Sequence, residues 1–81
     1  MNNRLILEVE GINSKDCIKR ISEELKFIDA YNVEIDMPLK IIKVDFIGSE
    51  TESNKYIQKL NNLGYKATKL AIYDLNEVHN S

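Results

Sequence analysis

Apolar residues in this chain switch between two spacings, and the order of the switches permits few folds. Leu5, Leu7 and Val9 alternate with Arg4, Ile6, Glu8 and Glu10, the period of a half-buried strand, and Gly11 ends the run. From residue 14 to about 30, Ile18, Ile21, Leu25 and Ile28 are spaced three, four and three apart, which predicts a helix whose wet side carries Lys19, Arg20, Ser22, Glu23 and Lys26. Alternation returns over 31–37, breaks at Pro38-Leu39 and resumes with Ile42, Val44 and Phe46, the pattern of a hairpin. Ser49-Glu50-Thr51-Glu52 has the form of a capping box and opens a second helical stripe of Tyr56, Ile57, Leu60 and Leu63. Gly64 stands where a left-handed helix terminator belongs. Residues 67–73 read as a last strand, with either Leu70 and Ile72 or Ala71 and Tyr73 pointing inward.

The resulting order is strand, helix, strand, strand, helix, strand. With both helices crossing one face, the expected fold is α+β: a ferredoxin-like βαββαβ arrangement with a four-stranded antiparallel sheet. Leu7, Val9, Ile18, Ile21, Leu25, Ile35, Val44, Phe46, Tyr56 and Leu60 are the expected core. The 81 residues read as a single domain, ordered over about 4–73, with a polar tail over 74–81 that contains His79.

Composition narrows the function. Eleven basic residues against thirteen acidic ones leave a charge of -2, without the basic excess of a nucleic-acid binder. No apolar run approaches the roughly 20 residues that span a bilayer, and the first residues lack the pattern of a signal peptide. A single cysteine forms no internal disulfide and suits a reducing compartment, so the cytoplasm is the expected location.

That cysteine, Cys17, falls where the first strand gives way to the first helix. If Ser14 is the N-cap, Cys17 is the third helical residue, where the positive end of the helix favours a thiolate. No companion base lies nearby in sequence, since the only histidine is in the tail, and no nucleotide loop is present. An enzyme is not expected.

Leu7-x-Val9-x-Gly11, Cys17, the hairpin from Ile35 to Phe46 and the helix ending in Gly64-Tyr65 together resemble the heavy-metal-associated domains of copper chaperones and metal-pumping P-type ATPases. That family typically shows Gly-Met-x-Cys-x-x-Cys between strand and helix, and the resemblance spans about residues 4–73. It implies that Cys17 is a metal-binding residue for Cu(I) or another soft ion. It also implies that a P-type ATPase, another domain of the family or a second copy of the chain is the partner. Three positions depart from the pattern: Ser14 replaces the first cysteine, Ile12 replaces the methionine, and Ala30-Tyr31 replaces a Gly-Val pair.

Ser14 matters most. A hydroxyl is a hard, neutral donor and a poor ligand for a soft cation. Drawing the second sulfur from another molecule at micromolar concentration, instead of from a tether worth millimolar effective concentration, costs about 4 kcal/mol. The expected function is therefore weak or dimer-dependent binding and transfer of a soft metal through Cys17. The alternative is a metal-free interaction or regulatory module on the same fold. Asp16 is read as a first-turn acid favoured by the helix dipole, and Lys15, Lys19 and Arg20 as a solvated face or a docking patch.

Overall fold

A computed structural model describes residues 1–78, so His79 and the end of the tail lie outside the described residues. The elements follow in the expected order: β1 (Asn2–Glu10), α1 (Lys15–Phe27), β2 (Ala30–Asp36), β3 (Ile41–Ile47), α2 (Asn54–Asn62) and β4 (Lys66–Asp74). One 3-10 turn, Glu50–Ser53, leads into α2, and one helical turn, α3 (Leu75–Val78), follows β4. The strands form one antiparallel sheet in the order β2-β3-β1-β4, the ferredoxin-like arrangement. Where the sequence suggests a tail from residue 74, Asp74 still pairs with Asn3, and its carboxylate accepts from the Asn76 N–H at 2.9 Å to start α3.

One face of the sheet meets both helices. Leu7, Val9, Ile21, Leu25, Val44, Phe46, Tyr56 and Leu60 are buried there as expected, joined by Leu5, Ile42 and Ala30. Two expected core residues are placed differently: Ile35 is only partly buried against the cluster, and Ile18 is half-buried outside it. Each large side chain removed from water contributes roughly 1.5–3 kcal/mol before chain entropy offsets most of it.

Bulges explain where alternation misleads. The β1–β4 register passes from Ile6 opposite Ala71 to Leu7 opposite Lys69, so Leu70 is an extra residue and the strand changes phase around it. Ala67 and Ile72 both pack on the core, whereas Leu70 and Tyr73 are each 53% exposed. Neither simple alternation over 67–73 describes this strand. A second irregularity, between Ala30 and Asn32, turns Tyr31 out of the stripe it shares with Val33 in the sequence; its hydroxyl donates to Asn2 Oδ1 at 2.7 Å.

The α2 end follows its sequence signal closely. Gly64 has φ +99, its N–H donates to the Asn61 carbonyl at 3.1 Å, and the Tyr65 N–H donates to the Leu60 carbonyl at 3.0 Å. These are the two bonds of a Schellman terminator, and they set the direction in which Tyr65 leaves the helix. At the end of α1 the left-handed position falls on Asp29, φ +81, one residue before Ala30.

Among the described residues, Tyr56 is the buried side chain left with an unpaired polar atom. It is fully buried with its ring 5.1 Å from that of Phe46, yet among the described residues its hydroxyl has no hydrogen-bond partner. Burial, and then the charges of Asp29 and Glu52, push its pKa up to about 12. Tyr56→Phe removes a desolvated, unpaired group while keeping the ring, and is expected to stabilise the fold by about 1 kcal/mol. Chemical denaturation checks this; a loss of stability would show that the hydroxyl has a partner.

Candidate metal site

The site is built at the end of the sheet where β1 stops, α1 begins and α2 returns. Ser14 has extended backbone and caps α1, its Oγ accepting the Cys17 N–H at 3.3 Å. The same hydroxyl donates its own proton to Cys17 Sγ across 3.4 Å. One serine thus satisfies an orphan backbone donor and polarises the sulfur. The thiol in turn reaches Asn13 Oδ1 at 3.5 Å.

Gly11 and Tyr65 close the loop from the other side. Gly11 has φ +104, and a Cβ there would stand 3.3 Å from Tyr65 Cδ1, so the ring lies directly over the loop backbone. Tyr65 therefore packs over the loop, and its hydroxyl also interacts with Cys17, which raises the tyrosine pKa. Ile12, in place of the family methionine, packs against the core.

Cys17 is partly exposed at the mouth of α1. Its thiol pKa falls to about 7, chiefly through the Ser14 hydroxyl, then through the Tyr65 hydroxyl and the Asn13 backbone, against a smaller effect of burial. The shift favours the thiolate, the form that attacks electrophiles and binds soft metals, near neutral pH. Alkylation by iodoacetamide should show a rate midpoint near pH 7 that moves up in Ser14→Ala. An unmoved midpoint would show that the hydroxyl is not the cause.

The remaining sequence candidates do not join this site. Asp16 is an exposed first-turn acid. Lys15, Lys19 and Arg20 are exposed and make no ion pair among the described residues. No group of three or more His, Cys, Asp and Glu side chains is placed to hold a metal among the described residues. The donor set is one sulfur ringed by oxygens, and within one chain it does not fit tight chelation of a soft ion. Asn13 and the hydroxyl of Tyr65 carry no separate sequence signal as neighbours of the sulfur; the Gly64-Tyr65 pair marks only the turn that brings the ring there.

The opposite face of the sheet holds a second polar cluster. Arg4 grips Asp45 through Nε at 2.7 Å and Nη2 at 2.9 Å, and Asn32 Nδ2 donates to the same carboxylate at 3.1 Å. Asp45 is only 3% exposed. No helix of the described residues is long and apolar enough to cross a membrane.

No protein-family model matches the chain, and no curated protein is significantly similar to it. Solved structures do match. The N-terminal domain of a potential copper-translocating P-type ATPase from Bacillus subtilis, in its Cu(I)-loaded state, superposes with a TM-score of 0.79 at 23% identity, covering 91% of this chain and 94% of that one. The yeast copper transporter domain, solved in apo and Cu(I)-loaded states, gives 0.77 at 17% identity, covering 85% and 96%. Oxidized MerP from Ralstonia metallidurans gives 0.76 at 15% identity, covering 88% and 100%. The chain has the fold of these domains over nearly its whole length.

Proposed function

We propose that this protein is a heavy-metal-associated-type domain that binds and passes on a soft metal ion, Cu(I) foremost, through Cys17, weakly alone and more tightly when a second chain supplies another sulfur. The observation that carries this reading is a partly exposed sulfur with its pKa lowered to about 7, held at the mouth of α1 in a fold shared with Cu(I)-loaded domains. The ion is cargo here, so weak binding is compatible with transfer. A second copy of this chain, a metal-transporting P-type ATPase or another domain of this fold is the natural source of the missing ligand. A lone thiol with no partner for an internal disulfide suits a reducing compartment, so the cytoplasm is the proposed location of this activity. Among the described residues the polar neighbours of the sulfur, Ser14, Asn13 and Tyr65, include no general base for neutral pH, which favours carriage of an ion over catalysis.

Ser14 favours a second reading. Its hydroxyl completes a helix cap that needs no metal, as it would in an interaction module that kept the fold and lost the ion. Titration with Cu(I) under reducing conditions against a competing chelator separates the two. The metal reading expects uptake near one ion per two chains, abolished in Cys17→Ser. Identical curves for the two proteins would leave the interaction module.

A further inference from the structure

We draw no further inference here: the strongest candidate, the open groove that Arg4, Ile6, Lys43, Tyr73 and Leu75 line on the helix-free face of the sheet, carries nothing, because Arg4 is already held by Asp45, Lys43 stands across from Glu34, and nothing in the structure shows what covers the apolar remainder.

Discussion

Ser14→Cys is expected to raise Cu(I) affinity about 10³-fold and to change the stoichiometry from one ion per two chains to one ion per chain. The geometry already brings the two positions together, with Ser14 Oγ 3.4 Å from Cys17 Sγ. Replacing the oxygen by sulfur supplies a second soft donor on the same loop, and converts a ligand at micromolar concentration into one at millimolar effective concentration. That ratio is worth about 4 kcal/mol. The substitution also removes the hydroxyl that caps α1, at a cost of about 1 kcal/mol in fold stability. A less stable protein that binds copper far more tightly is thus the combined signature. Competition with a chelator under reducing conditions, together with thermal denaturation of the apo protein, reads both. Unchanged affinity would mean that the loop does not present its two side chains to a common ion.

Arg4→Met should cause a large loss of stability, about 3 kcal/mol, out of a total that for a domain of this size is roughly 5–15 kcal/mol. Asp45 is nearly inaccessible, and Arg4 supplies two of its three side-chain hydrogen bonds; methionine leaves the carboxylate with Asn32 alone. The figure sits at the low end for a broken buried pair because the arginine side chain is itself 31% exposed. The same pair gives the protein its acid response. Burial alone would push the Asp45 carboxyl up, but the hydrogen bonds from Arg4 and Asn32 more than offset that and hold it below its ordinary value of 3.8. A carboxyl depressed in the folded state stabilises the fold fully above its unfolded-state pKa, and that stability is lost as pH falls through the folded value. Wild type should therefore keep this contribution at pH 5 and lose it below about pH 4. In Arg4→Met this acid-linked loss should shrink or reverse, because burial then opposes Asn32 alone and the carboxyl is no longer held as far below its unfolded value. Urea denaturation across that range checks both; parallel curves for the two proteins would remove the pair from the account.

The sequence was most informative where one residue sets one local geometry. Gly64 marks a Schellman turn, Ser14 marks the α1 cap, and the periodicity of Leu5 to Val9 marks the buried face of β1. It was less informative where a neighbouring strand decides. No pattern within residues 67–73 announces that Leu70 will bulge, because the bulge is a property of the β1–β4 pairing. Arg4 and Asp45 sit at alternating positions of their strands, and only the register brings them face to face. The metal loop shows the same division. The cysteine, its cap and the tyrosine after the second helix are visible in the sequence, whereas the approach of the Ser14 and Tyr65 side chains to the sulfur depends on two elements converging. That convergence moves the thiol into the neutral range.

The measurement that bears most directly on the central claim is copper K-edge X-ray absorption of the Cu(I)-loaded protein, with the mass of the loaded species read in parallel. One sulfur from each of two chains around each ion, in a species of twice the chain mass, is the expected result. A first coordination sphere of nitrogen and oxygen alone, or no retained copper after removal of excess ion, would contradict the assignment of Cys17 as the metal-binding residue.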